Sequence, residues 1–287
     1  MAPVMAAEAR SSRLAGGHVR SASVPCQSQH PLLMHVDDQL MALRSWTSNP
    51  GQNALSLAHV RALLCVLDEL LHLPLAQSAL VRGAAGGRAA AADSLLDGFL
   101  VLADAFGSFL AALLALRQHA SELRAAVRRR DAAKLASAAR AQRQAAKELE
   151  QLAAAVARDA ARCARASLPA SAAAELEVAR TVAEAINDTA TASSSVFQQV
   201  GSVADAAATL AALSSSASSS KKQRLAIVNA SSRSKRPASE EQRELIALEK
   251  LQELEQCIGE LESESEKVFR SLVQTRVSLL NIHTPAF

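Results

Sequence analysis

The stretch FLVLADAFGSFLAALLAL, from Phe99 to Leu116, is the most apolar part of the sequence and the best guide to its architecture. Asp104 is its single charge, and the stretch just reaches the length of a membrane-spanning helix. A carboxylate in mid-span costs about 2.5–3.5 kcal/mol on insertion scales, and the segment runs on through Arg117 into QHASELRAAVRRR, which keeps a helical pattern. We therefore predict the central helix of a bundle, buried nearly all round, with a membrane anchor at residues 99–116 as the alternative.

The composition around this segment excludes most sheet folds. The 287-residue chain is 49% apolar but 2% aromatic, with no Tyr, and strands need β-branched and aromatic side chains to cover a pleated face. We predict an all-α fold: an elongated helical bundle with long central helices and a C-terminal helix that carries heptads. The formal net charge of +3 is too small to indicate nucleic acid, and we expect no nucleic-acid partner.

Two shorter helices precede the apolar segment. Residues 35–45 carry apolar side chains at Val36, Leu40 and Leu43, the spacing of an amphipathic helix that Trp46 closes. Residues 56–72 predict a second helix with Ser56 as its cap and Pro74 as its end or kink.

No proline interrupts the chain from the start of the central helix to residue 165. Asp93 or Ser94 is the predicted cap of this helix. A run of this length far exceeds a typical globular helix, so we expect a break at 128–131. The Ala-rich part after it, 132–166, predicts a thinly packed, partly exposed helix.

A further helix follows Pro169, capped by Ser171 and interrupted by the polar run TATASSS. Residues 214–238 form a Ser-rich basic linker. Ser239 then starts the last helix, in which apolar residues step by three and four in a heptad seam with two polar positions. The seam comprises Leu251, Leu254, Ile258, Leu261, Ser265, Val268, Leu272, Thr275 and Leu279. Phe269, Val273, Val277 and Leu280 widen this stripe, which predicts burial of the C-terminal end.

Four parts of the chain follow from these patterns. Residues 1–30 are a disordered tail, 31–213 a helical bundle, 214–238 the linker, and 239–287 a C-terminal helix that packs back on the bundle. The sequence leaves the oligomeric state open because a heptad seam can pair within or between chains.

No catalytic motif is present: there is no phosphate loop, no HExxH and no nucleophile elbow. His30 and His35 are five apart and do not share a helical face, so we predict no metal site. The four cysteines are widely spaced, which fits a reducing, intracellular compartment. We interpret Cys65 and Cys257 as small buried hydrophobes. We predict no catalytic residue, no cofactor and no enzyme activity.

One short motif lies in the tail. Arg20, Ser21, Ser23 and Pro25 form R-S-x-S-x-P, which resembles the ligand of 14-3-3 proteins; phosphate on Ser23 would meet an arginine cluster there. The alternative interpretation is a basic, Ser-rich tail that matches the motif by chance. Protein partners are expected, and 14-3-3 is a candidate.

A second motif lies in the linker. Lys221 and Lys222, a spacer of ten residues, and then Arg233, Lys235 and Arg236 match a bipartite nuclear import signal. The same charges also fit a solubilising segment or contact with anionic lipid. We expect an intracellular protein, cytoplasmic or nuclear; an organellar transit peptide at the start of the chain or a membrane location is less favoured.

The sequence also resembles a known family. The signatures are HVRSASVP at 18–25, HPLLMHVDDQLMALRSW after it, SLLDGFLVLADAFGSFL in the middle and VFRSLVQTRVSLLNIH at 268–283. They are similar to those of the plant-specific BYPASS-like proteins, and the likeness covers almost the whole chain. The resemblance implies a helical plant protein with a role in root and shoot development, and it carries over no catalytic residue. The predicted function is therefore a non-enzymatic interaction or scaffold protein.

Overall fold

The computed structural model describes residues 31–49, 51, 55–83, 89–167, 175–214 and 240–283. Within these ranges the chain forms helices and no strand, as the composition predicts. The helices are α1 Pro31–Ser48, α2 Ala58–Leu71, α3 Pro74–Gly83, α4 Ala89–Arg129, α5 Ala132–Ala166, α6 Glu175–Ser214 and α7 Glu240–His283. The tail 1–30, Ser171, Ser239 and the linker beyond Ser214 lie outside the described residues.

The long run after the apolar segment breaks at the predicted place. Arg130 takes φ 53°, and its N–H donates to Val127 O at 3.0 Å while the N–H of Asp131 donates to Ala126 O at 3.1 Å. This pair of bonds closes a helix C-terminus around a left-handed residue. The Asp131 carboxylate then accepts from Lys134 N at 3.1 Å and caps α5, so α4 and α5 form an antiparallel pair.

Helix α5 packs closely against α4 and α6 along an alanine face. Gln142 Nε2 donates to Ala204 O at 2.9 Å, and a Cβ at Gly201 would lie 3.0 Å from Ala146 O. The prediction of thin packing is therefore wrong. Small side chains allow α5 and α6 to approach closely instead of leaving them loosely packed. The opposite face of α5 is exposed, as expected.

Three phenylalanines form the centre of the core between α4 and α6. The Phe197 ring lies 4.0 Å from that of Phe109 in a stacked arrangement and 5.5 Å from that of Phe106, edge to face. All three side chains are 0% exposed. The apolar segment 99–116 thus contributes the centre of the bundle.

Helix α7 completes the bundle along α4, α6 and α2. All nine predicted seam residues are buried, the two polar ones included. The predicted widening is wrong at Val273 and Val277, which are 40% and 42% exposed. Only one stripe of α7 faces its neighbours, so residues on its flank remain at the surface.

Helices α1 to α3 cover one end of this assembly. The face of α1 that carries Val36, Leu40 and Leu43 is buried, as predicted. Helix α2 ends at Leu71, and Pro74 opens α3, bent by 80° from α2. Proline suits the first turn of a helix because no intrahelical bond needs its missing N–H.

Three sequence-based expectations about helix boundaries are corrected. Ser56 lies just before the N-cap Leu57, though its Oγ accepts from Ala58 N at 3.2 Å. Helix α4 already includes Asp93 and Ser94, so neither caps it. The TATASSS run does not interrupt α6, because Ala190, Ala192 and Ser193 pack inside the bundle and tertiary packing overrides a weak helix propensity. Ser193 Oγ donates to Thr189 O at 2.7 Å, so this buried hydroxyl is satisfied within the helix.

Candidate interaction surfaces

Arginine–glutamate pairs fasten the last helix to the bundle. Arg124 contacts Glu255 at 2.7 Å, Arg130 contacts Glu244 at 3.1 Å, and Arg117 contacts Glu262. Arg117 and Arg124 join α4 to α7, Arg130 does so from the residue after α4, and Arg61 of α2 reaches Glu264 at 3.3 Å. Opposite charges in this register fix how α7 lies on α4.

A second charged cluster joins α1 to α6. Arg44 Nε donates to Asp188 at 2.6 Å, and its NH2 group donates to Glu184 at 2.9 Å. Burial raises the pKa of Glu184, but hydrogen bonds from Arg44 and Arg180 outweigh it and leave that pKa below its usual range. Burial, together with the charges of Glu184 and Glu177, raises the pKa of Asp37. The cluster positions α1 on α6.

The polar groups inside the bundle also serve packing. Ser278 Oγ donates to Asp68 at 3.0 Å and ties α7 to α2. Among the described residues, the hydroxyls of Ser265 and Thr189 are buried without a hydrogen-bond partner. Ser265 lies on α7 and Thr189 on α6.

The cysteines differ from the sequence-based interpretation. Cys65 is exposed, which corrects its predicted burial, while Cys257 is half-buried. Burial raises the pKa of the Cys257 thiol to about 11, so thiolate is scarce at neutral pH. No group of three metal-binding side chains occurs in the described part of the chain.

The apolar segment 99–116 is amphipathic and not enclosed on every side. Phe99, Phe106 and Phe109 are fully buried, whereas Leu100 is 39% and Leu114 is 58% exposed. The prediction of burial nearly all round is wrong because α5, α6 and α7 leave one face of α4 uncovered. By length and composition, 91–129 is the one described helix able to span a membrane; helices α2 and α3 pass the same test only as a bent pair.

Three surfaces remain as candidates for binding. The outer face of α1 carries Met34 and Met41, which are 54% and 59% exposed. The uncovered face of α4 carries Leu100 and Leu114, and the outer face of α5 carries exposed Arg and Lys side chains. Periodicity alone did not separate these faces from the core, because which side of a helix meets a neighbour depends on the packing of the whole bundle.

Both motifs singled out in the sequence lie outside the described residues. These are Arg20, Ser21, Ser23 and Pro25 in the tail, and Lys221, Lys222, Arg233, Lys235 and Arg236 in the linker. Pro25 shortly precedes the start of α1, and the linker joins the end of α6 to the start of α7.

Comparison with known proteins gives one match. The family model described as Protein BPS1 matches residues 56–282, which covers α2 to α7. No curated protein and no solved structure matches the chain.

Proposed function

Since this chain belongs to the BPS1 family, the BYPASS family of plant proteins, we propose that it is a non-enzymatic interaction protein in root and shoot development. A developmental role fits the family. The proposal assigns binding to exposed faces and flanking segments, with the helical bundle as their rigid support.

The observation that carries the proposal is the outer face of α1. Met34 and Met41 stand two turns apart, each more than half exposed, with the exposed Asp38 between them. Methionine adapts its shape to different apolar partners, which suits it to protein-binding surfaces. A protein partner that covered both side chains would remove this apolar surface from water.

The charged groups support a structural and not a catalytic role. The interhelical pairs Arg124–Glu255 and Arg130–Glu244 join helix to helix. The hydrogen bond from Ser278 to Asp68 does the same between α7 and α2. An acid or base catalyst needs a perturbed group that faces a pocket, and these carboxylates are committed to holding the bundle.

A 14-3-3 protein is the proposed partner of the tail. The R-S-x-S-x-P motif ends at Pro25, shortly before α1 begins at Pro31 in the sequence. Phosphoserine supplies the charge that an arginine cluster binds.

The test is retention of the phosphorylated full-length chain on immobilised 14-3-3. We expect Ser23→Ala to abolish retention and Ser12→Ala, in the same tail, to leave it unchanged. Equal retention of the Ser23→Ala protein and the wild type would rule out this partner.

The methionine face has a separate test in plant tissue. Proximity labelling with the Met34→Gln/Met41→Gln protein should lose a set of neighbours that the wild type labels. The matched control replaces Leu245 and Ile246 of α7, 66% and 44% exposed, by Gln and should keep that set. Identical neighbours for all three proteins would contradict binding through α1.

A second candidate is a membrane-associated protein anchored by residues 99–116, favoured by the exposed Leu114 and by the length of the apolar helix. Carbonate extraction separates the membrane anchor from the interaction protein: a resistant pellet supports the anchor, and release into the supernatant excludes it.

Nuclear import has its own test. A fluorescent fusion should lose nuclear signal when Lys221, Lys222, Arg233, Lys235 and Arg236 become Ala, and an unchanged nuclear fraction would remove that prediction.

A further inference from the structure

The outer face of α5 carries cations in a straight line. Positions 140, 144, 147, 151, 154, 158, 162 and 165 step by three and four, so they fall on one side of the helix. Arg140, Lys147, Arg158, Arg162 and Arg165 occupy five of them, and all five are exposed. Gln and Ala fill the rest. At 1.5 Å per residue the line from 140 to 165 extends over about 38 Å.

The acids of α5 lie beside this line and not on it. Glu148 accepts from Gln144 at 3.1 Å, and Asp159 contacts Arg162 at 3.0 Å. Glu150 lies toward α6, next to Ser195 and Gln198. In the part of the chain that the structure describes, Arg140, Lys147 and Arg165 form no ion pair. Their charges are therefore available to a ligand.

The small net charge of the chain hides a separation of charge between helices. Helix α5 has seven basic and three acidic residues, whereas α7 has ten acidic and five basic residues. Helix α5 packs on α4 and α6, and the arginines of α4 face α7 through the interhelical pairs. One side of the bundle is thus cationic although the total charge is only +3.

The neighbouring surface favours a lipid bilayer over nucleic acid. Helix α4 lies beside α5, and its uncovered face presents Leu100, Gly107, Ala111 and Leu114 with Asp104 as the single charge among the exposed positions from 100 to 114. Aliphatic side chains beside a row of cations suit the boundary between headgroups and acyl chains. Single-stranded nucleic acid is bound with aromatic side chains between the cations, and α5 has none.

We propose that the cationic face of α5 docks on the surface of a bilayer that contains anionic phospholipid. The line is straight, which matches a flat layer of headgroups, and the flanking leucines of α4 reach the interface from the side. This is peripheral binding: residues Phe99, Phe106 and Phe109 stay in the core. Binding to the bilayer goes beyond the proposed protein-interaction function and does not depend on it.

The test is co-sedimentation of the full-length protein with vesicles of phosphatidylcholine containing about 30% phosphatidylserine. Wild type should bind these vesicles, lose binding in about 0.5 M salt and ignore vesicles of phosphatidylcholine alone. The triple variant Arg140→Gln/Lys147→Gln/Arg165→Gln should bind at least about tenfold more weakly. All three side chains are exposed, and circular dichroism checks that the variant keeps its helices.

Two matched variants make the outcome decisive. Lys250→Gln/Lys267→Gln/Arg270→Gln removes the same charge from exposed positions of α7 and should bind as wild type does. Replacing the five linker residues of the import motif by Ala should leave most binding intact. The proposal is overturned if the α5 variant binds as well as wild type, if only the linker variant loses binding, if wild type ignores anionic vesicles, or if duplex RNA displaces it from them at equal phosphate concentration.

Discussion

Replacing Phe197 by Ala tests the aromatic centre of the bundle. Phe197 is fully buried, stacked on Phe109 at 4.0 Å and edge-on to Phe106 at 5.5 Å. Truncating a buried phenylalanine costs about 3–5 kcal/mol, which comprises the lost transfer free energy and the cavity left behind. The two aromatic contacts place the expected cost in the upper part of this range.

The measurement is urea unfolding followed by far-UV circular dichroism, which reports helix content. We expect a lower midpoint with an unchanged slope, and a loss of thermal stability of about 6–20 °C for a chain of this size. Val277→Ala, at a position 42% exposed, is the control and should shift stability by less than about 0.5 kcal/mol. A Phe197→Ala protein within about 1 kcal/mol of wild type would refute the proposed core.

Three further predictions concern close packing, thiol reactivity and pH. Gly201→Ala should destabilise the protein by about 1–3 kcal/mol, because the new Cβ meets the backbone of α5. The control Gly107→Ala, whose Cβ has nothing nearer than 4.0 Å, should stabilise the protein by about 0.5–1 kcal/mol. Equal effects of the two variants in denaturant unfolding would contradict the α5–α6 contact. At pH 8 maleimide should label Cys65 at least tenfold faster than Cys257, whose pKa is about 11; mass spectrometry that finds equal rates would show Cys257 to be unshielded. The pKa of Glu184 is lowered in the folded state, so its contribution to stability is present above the unfolded-state pKa and is lost as the pH falls through the folded-state pKa. The difference in unfolding free energy between wild type and Glu184→Gln should therefore narrow from pH 7 toward pH 3. A difference that stays constant would contradict the stabilising role of the Glu184 carboxylate.

The sequence predicts the helices well where periodicity and chain-breaking signals agree. The seam of α7 is buried throughout because a step of three and four leaves one stripe for a neighbouring helix. The break near Arg130 follows from length alone, since an unbroken rod from the apolar segment to the end of α5 would be unusual in a compact domain. Both predictions need only the sequence and hold without knowledge of the partner helices.

The errors arise where the outcome depends on packing between helices. Val273 and Val277 belong to an apolar run of α7 but lie on its flank, and Cys65 faces outward from α2 for the same reason. The alanines of α5 look too small to pack, yet Ala146 accepts the close approach of Gly201. Packing of Ala192, Ser193 and Val196 inside the bundle keeps α6 intact where composition indicates a break.

The candidate binding surfaces likewise depend on packing between helices, which the sequence does not reveal. The charge pattern of α5 is present in the sequence, but its meaning depends on which face α4 and α6 cover. The tail and linker motifs are the opposite case, because their residues can be read directly from the sequence and need no packing to be identified.

Two neighbouring positions in the apolar segment show whether the other helices of the chain cover one of its faces. Leu113 is 0% and Leu114 is 58% exposed, so Leu113→Cys and Leu114→Cys, each in a background with the four native cysteines changed to Ala, should react differently. In detergent-free buffer, maleimide should label Leu114→Cys at the rate of a free thiol, and Leu113→Cys at least about a hundredfold more slowly until the protein is unfolded. Equal labelling of the two, or a protein that stays soluble only in detergent, would contradict a segment whose buried face is covered by the other helices of the same chain.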